Sequence, residues 1–268
     1  MSSLADKLRS MGVKLGTENL PPPKPRNPHA IEAVVSGEFR ETAHGEVFVS
    51  ETLYPADHRH GQTELRLAGS LRTVAQWAKE ERVASLPPEG FVFLDTETSG
   101  LAGGTGTYAF LVGVGRHGPE GFRLTQIFMR DPAEEPALLD VVEELLHPCA
   151  ALVTFNGKSF DVPLLRTRFT LQGRELPLDG AAHLDLLPLA RRLWRDRLES
   201  RALGFLEAHI LGAQRDEEEV PGWLVPQLYF DYLRSGDARP LKGVFYHNAM
   251  DVVALAALLN HVTGLLDD

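Results

Sequence analysis

The sequence predicts an α/β protein, a mixed β-sheet flanked by helices and preceded by an N-terminal extension. Three observations point there. From residue 91 onward, short apolar runs of strand length recur between glycine-rich turns. Three such runs come before the first clear helix of this region, after which strand and helix alternate. The final stretch, from about residue 244, is built almost wholly of strong helix formers.

The elements follow in chain order. Residues 1–30 lack apolar periodicity, and the prolines between Leu20 and Pro28 read as a flexible, extended linker. Residues 31–88 read as an extension packing on a main domain at 89–268, with a strand over 46–54 and a helix over 71–85 around Val74, Trp77 and Ala78. Strands are expected at 91–95, 107–115 and 122–130. A helix follows over 134–147, with Leu138, Leu139, Val142, Leu145 and Leu146 on one face. A fourth strand at 151–155, a helix opening near Phe160 and a fifth strand at 181–184 come next. Helices at 186–198, 202–210, 223–234 and 244–264 complete the chain.

Composition narrows the function. At 268 residues and 43% hydrophobic, the chain can bury a substantial core. Its net charge of −10 argues against a tight general binder of duplex DNA, which needs many cationic phosphate contacts. No apolar run approaches the length that spans a membrane, and the N-terminus lacks a signal-peptide pattern. Cys149 is the only cysteine and sits in an apolar, structural setting, so a cytoplasmic location is the simplest expectation.

Three acidic elements carry the chemistry. Asp95-Thr96-Glu97 ends the apolar run Phe91-Val92-Phe93-Leu94. Residues two apart on a strand share a face, so both carboxylates point together. A divalent cation between them removes the cost of burying like charges, and oxygen ligands suit Mg²⁺ or Mn²⁺. The second element, Asn156-Gly157-Lys158-Ser159-Phe160-Asp161, follows the fourth strand and opens a helix. Asp161 there suits two roles: a site carboxylate at the C-terminal end of the sheet, or a complement to the helix dipole with Ser159 as cap. The third, Tyr246-His247-Asn248-Ala249-Met250-Asp251, leads into the apolar helix. His247 and Asp251 share a helical face if the helix has begun by His247, and Tyr246 then points away.

Taken together these elements resemble the DEDD superfamily of 3′–5′ exonucleases, and most of all its YprB-type, RNase H-like predicted exonucleases. The match covers about residues 89–266 and includes His183-Leu184-Asp185-Leu186-Leu187 and Pro221-Gly222-Trp223. It places Asp95 and Glu97 in the first motif, Asp161 in the second and Asp251 in the third. The resemblance implies an RNase H-like fold and hydrolysis of single-stranded DNA or RNA by two cations, Mg²⁺ or Mn²⁺. It implies that Asp95 bridges both ions, that Glu97 and Asp251 complete one site, and that Asp161 completes the other. A separate base then takes the proton of the attacking water. That superfamily carries Tyr four residues before the last Asp, or His five before it; here His247 is four before and Tyr246 five before. Helical facing favours His247, as does an imidazole's titration near neutrality.

Other residues have two readings each. Asn156 and Lys158 are candidate substrate-binding residues inside the second motif, although a lysine there also suits plain exposure. Gly100, Gly103, Gly104 and Gly106 suit either a loop that admits a nucleotide end or a simple hairpin turn. Arg191, Arg192, Arg195, Arg197 and Arg201 read better as a solvated helix face than as a strand-binding groove. Asp185 suits a helix cap or a supporting carboxylate. The helical spacing of Trp223, Tyr229, Phe230 and Tyr232 favours core over base stacking. Alternative functions are a catalytically silent nucleic-acid-binding or adaptor module, and a structure-selective endonuclease on the same fold. The full carboxylate set argues against the silent module, because without metal it would repel phosphate.

Overall fold

The computed structural model describes residues 27–100, 105–147, 149–216 and 219–267. Most of the 1–30 segment, and Gly103 and Gly104 of the glycine loop, lie outside the described residues. In chain order the elements are β1 (Glu38–Thr42), β2 (Gly45–Pro55), the two-residue strands β3 (Arg59–His60) and β4 (Thr63–Glu64), and α1 (Arg72–Ala78). Next come β5 (Phe91–Thr98), β6 (Ala109–Gly118), β7 (Gly121–Phe128), α2 (Glu135–Leu146), β8 (Ala151–Thr154) and α3 (Asp161–Leu171). The chain continues with β9 (Ala182–Asp185), α4 (Leu186–Leu193), α5 (Val225–Ser235) and α6 (Leu241–Asp267).

Seven strands form one mixed sheet in the order β1-β2-β7-β6-β5-β8-β9. Pairings from β1 to β5 are antiparallel, while β8 and β9 run parallel to β5. Residues 38–55, read from sequence as part of the extension, supply two strands of this same sheet. β1 escaped sequence reading because Glu-Phe-Arg-Glu-Thr is a half-exposed edge strand with no apolar alternation.

β5 is the central strand and sorts its side chains by alternation. Val92 and Leu94 join the core cluster that contains α2 and α3 residues. Phe91 and Phe93 join the cluster that contains α1, α4 and most of α6. The strand runs on through Thr98, so Asp95 and Glu97 lie within it rather than at its end, on the α6 face.

Several expected helices are shorter or interrupted. The 71–85 helix stops at Ala78, where Lys79 adopts a left-handed φ of 57°, and a 3₁₀ turn covers Glu81–Ser85. The 186–198 helix stops at Leu193, short of the charged run Arg195-Asp196-Arg197, which offers no apolar face to bury. The 202–210 helix is present, as an α-helical turn at Leu203–Leu206 that continues as a π-helical segment over Glu207–Leu211. Conversely α6 is longer than expected. Its 27 residues are, by length and composition, long and apolar enough to cross a bilayer, which corrects the sequence expectation. The reason for its apolarity is its place in the core, where Val252 through Leu259 are all buried.

Candidate active site

Each acidic motif sits where its element meets the C-terminal ends of β5 and β8. Asp95 and Glu97 project from β5 toward α6. Asp251 faces them from α6, nearly three turns into the helix. Asp161 arrives from the opposite layer, in the first turn of α3, and accepts a 2.6 Å hydrogen bond from the Thr96 hydroxyl. Thr96 is the strand residue that points to that layer, so Asp-Thr-Glu serves both faces of the sheet. Ser159 does not cap α3; no side chain does.

The four carboxylates sense one another. Glu97 and Asp161 are 8% and 5% exposed, while Asp95 and Asp251 are half-buried. Asp95 keeps some contact with solvent, yet the surrounding protein strips enough water to push its carboxyl well above the usual range. The charges of Asp251, Glu97 and Asp161 add to that push. Burial, then Asp251 and Asp161, raise Glu97 to about 8. Burial also raises Asp161 to about 6, against the pull of its bond from Thr96. Such a set is costly alone and becomes favourable with cations among the oxygens, so the donors fit hard divalent metal.

Among the described residues no three of these side chains form a ready metal cluster, and the protein engages three of the four carboxylates. Asn248 donates 2.9 Å to Asp95 Oδ2, Thr96 holds Asp161, and Arg215 grips Asp251. Among the described residues no donor meets the Glu97 carboxylate. Arg215 also donates 2.7 Å bonds to Glu207 and Glu219, and Glu207 bonds His60 at 2.7 Å. Burial pushes Glu207 up, but His60 and Arg215 outweigh it and hold the carboxyl low. The guanidinium is thereby a fixed internal counter-ion for Asp251.

His247 lies beside Asp251. Because α6 begins at Leu241, both stand on one face, with Nε2 3.7 Å from Asp251 and Nδ1 3.3 Å from Glu219. Tyr246 turns away, its hydroxyl accepting a 3.0 Å bond from the Asp216 N–H. Asp185 caps α4 through the Leu187 N–H and also accepts the Asn156 and Lys158 N–H groups, so it ties down the loop that carries Asp161. Asn156 adopts φ 68°, a left-handed conformation that asparagine tolerates. Both Asn156 and Lys158 present exposed side chains.

The aromatic set divides. Tyr229 is core, stacked 3.9 Å from Phe110, and Tyr232 is partly buried against it. Trp223 is 73% exposed and Phe230 is exposed too, against the core expectation for both. Trp223 lies in a 3₁₀ turn rather than riding a helix, which is why helical spacing misplaced it. Its neighbour Gly222 has room for a Cβ 3.7 Å from His247 Nε2, so this turn borders the site. Cys149 is half-buried, and burial raises its thiol to about 11, consistent with a structural residue. A separate cavity of about 250 Å³ lined by Pro55, Leu65, His117 and Phe122 lies at the other end of β6, away from the carboxylates.

Sequence reading missed Asn248 and Gln126 as site residues. Fully buried Asn248 bonds Asp95 on one side and accepts 2.9 Å from Gln126 on the other. A polar residue entering an apolar helix was the available signal. Gly113, opposite Asp95 in β6, leaves the space for this bridge: an added Cβ would stand 2.4 Å from Asn248 Oδ1. Gly113→Ala should therefore cost about 1–3 kcal/mol, visible as a lower melting temperature. It should also depress any activity that depends on Asp95. An unchanged melting temperature would show that Asn248 can move freely.

The comparisons with known proteins bear on this arrangement. The chain is 37% identical over 221 residues to the Bacillus subtilis (strain 168) protein named "Uncharacterized protein YprB", a match covering 80% of this chain and 52% of that protein. The chain thus spans about half the length of the curated relative it matches. Among solved structures, the family B DNA polymerase from the hyperthermophilic archaeon Pyrobaculum calidifontis aligns with a TM-score of 0.44 and 16% identity, over 63% of this chain and 24% of the polymerase. The family model described as the RNase H superfamily matches residues 92–263, from the strand bearing Asp95 to the helix bearing Asp251, and the chain belongs to that superfamily.

Proposed function

We propose that this protein is a DEDD-type 3′–5′ exonuclease that hydrolyses single-stranded DNA or RNA with Mg²⁺ or Mn²⁺. One observation carries the reading: four mutually repelling carboxylates meet at the sheet's end, with an imidazole on the face of one of them. Asp95, Glu97, Asp161 and Asp251 would hold two ions. Bound there, divalent cations activate a water and stabilise the leaving oxygen. His247 accepts the water's proton, oriented by Glu219 on Nδ1. Asn248 and Thr96 fix the carboxylates of Asp95 and Asp161. Trp223 offers an exposed ring on which a base can stack. Asn156 and Lys158 meet the substrate from the Asp161 loop.

A panel of end-labelled single- and double-stranded DNA and RNA, with Mg²⁺, Mn²⁺ or chelator, tests this reading. Mononucleotides should leave the 3′ end of single strands, faster than from blunt duplex, and chelator should stop them. Internal cuts in an end-blocked substrate would establish an endonuclease instead. Binding without metal-dependent cleavage would establish a silent module.

Arg215 supplies a second test. It occupies Asp251 as a cation already in place, so it competes with any metal for that carboxylate. Arg215→Gln should tighten Mn²⁺ binding, on the order of tenfold, as measured by the free-Mn²⁺ signal in electron paramagnetic resonance. Unchanged or weaker affinity would remove Arg215 from this role.

A further inference from the structure

The chain carries net charge −10, so a patch of unpaired cations is a departure that needs a cause. One such patch flanks the loop from Asn156 to Asp161. On one side of the start of α4, a cavity of about 540 Å³ is lined by Trp77, Lys79, Lys158 and Arg192. On the other side, a cavity of about 530 Å³ is lined by Phe155, Asn156, Arg191 and Arg201. The five cations come from four places in the chain: the end of α1, the second acidic motif, α4 and the segment after it. Among the described residues none of the five forms an ion pair, whereas Arg40, Arg123, Arg130, Arg168 and Arg174 each hold a carboxylate.

The nearby acids do not neutralise the patch. Asp185 lines the first cavity but spends its oxygens on three backbone N–H groups. Glu80 is bonded by Arg82 and acts on Lys158 only beyond ion-pair distance. Glu199 lines the second cavity and stands exposed, one acid against Arg191 and Arg201. The helix cations do not stand alone: Lys79 and Lys158 join Arg192 at one concavity, and Arg201 joins Arg191 at the other. Trp77 holds Arg192 in place, with the guanidinium 4.1 Å over the ring.

We infer that these two cavities form a cationic track for the sugar-phosphate backbone of a single nucleic-acid strand whose end lies at the carboxylates. The inference rests on the nuclease reading for its ligand class. A track of phosphate contacts with few donors for base edges holds a strand without reading its sequence. Lys79 and Trp77 give the N-terminal extension a part in it: they form one wall of the groove. The acidic remainder of the surface would then keep the strand from binding elsewhere.

The test measures binding of fluorescent oligonucleotides in the Asp95→Asn background, where cleavage does not interfere. Lys79→Gln combined with Arg192→Gln should weaken binding of a single strand of about a dozen nucleotides by tenfold or more. The slope of log affinity against log salt should flatten by about 1.4, at about 0.7 for each phosphate that is no longer neutralised. Arg234→Gln combined with Arg239→Gln removes the same charge from residues lining neither cavity and should change neither quantity. Arg191→Gln combined with Arg201→Gln tests the second cavity in the same way. If both cavity pairs bind like the Asp95→Asn parent, or if the Arg234/Arg239 pair weakens binding as much, the track is overturned. Tight binding abolished only in the cavity pairs, with no cleavage by the native chain, would refute the nuclease reading and keep the track. Cleavage by the native chain with unaffected cavity pairs would do the reverse. Binding of duplex as tight as single strand, equally weakened in the cavity pairs, would overturn the single-strand assignment.

Discussion

Asp95→Asn is expected to lower nuclease turnover by on the order of 10³-fold or more while making the metal-free protein more stable. In the proposed function Asp95 holds metal, and the activity loss follows from that role, since metal ions contribute several kcal/mol of charge stabilisation and each 1.4 kcal/mol is tenfold in rate. The stability gain follows from the repulsion. Asparagine keeps an oxygen to accept the 2.9 Å bond from Asn248 and discards the charge. The sign of the pH dependence is fixed by the raised pKa values of the folded state. Glu97 moves from 4.5 to about 8 on folding, so its favourable contribution is complete below 4.5 and is lost as pH rises through about 8. Asp95 shifts in the same direction.

Four histidines act the other way. Burial lowers His117 and His183 from 6.5 to about 4 and also lowers His58 and His261, so their neutral forms increasingly favour folding until pH passes 6.5, and no further. The window from about pH 6.5 to about pH 8.5 therefore isolates the carboxylates. In chelator, the melting temperature of the native chain should fall across that window. Asp95→Asn should flatten the fall and melt a few degrees higher at its upper end, on the order of 1–3 kcal/mol. Saturating Mg²⁺ should remove the fall from the native chain. Undiminished turnover in the variant would strike Asp95 from the site, and a native melting temperature that rises with pH in chelator would contradict the repulsion.

His247→Ala is expected to lower turnover on the order of 10²–10⁴-fold, the usual contribution of a positioned base, with Mn²⁺ affinity nearly unchanged. The imidazole stands 3.7 Å from Asp251 rather than within direct bonding distance, so its removal should spare the ligand set. Tyr246→Phe is the matched control. Its hydroxyl is occupied by the Asp216 N–H on another side of α6, so the variant should turn over normally. A crippled Tyr246→Phe beside an active His247→Ala would move the base to the tyrosine and require the 246–251 turn to rearrange in the working enzyme.

Much of this was legible in the sequence, for particular reasons. The apolar runs at Phe91, Ala109, Phe122, Ala151 and Ala182 are strands of one sheet, and strands covered on both faces announce themselves by continuous burial. The edge strand Glu38–Thr42 did not, because half its surface faces water. The end of the 71–85 helix was misjudged because a left-handed residue, Lys79, leaves no periodic trace.

By itself, the sequence determined the fold class and singled out the acidic residues at Asp95, Glu97, Asp161 and Asp251. Local pattern suffices for both, because strand alternation and helix periodicity are properties of neighbours in the chain. Only the tertiary structure decided what surrounds those carboxylates. Asn248, Gln126 and Gly113 meet at Asp95 from three elements, and Arg215 reaches Asp251 from a loop with no periodic signal of its own. The exposure of Trp223 and the convergence of Lys79, Lys158 and Arg192 belong there too. Such contacts join residues tens to more than a hundred positions apart, and their energies depend on burial and distance, which exist only once the chain has folded.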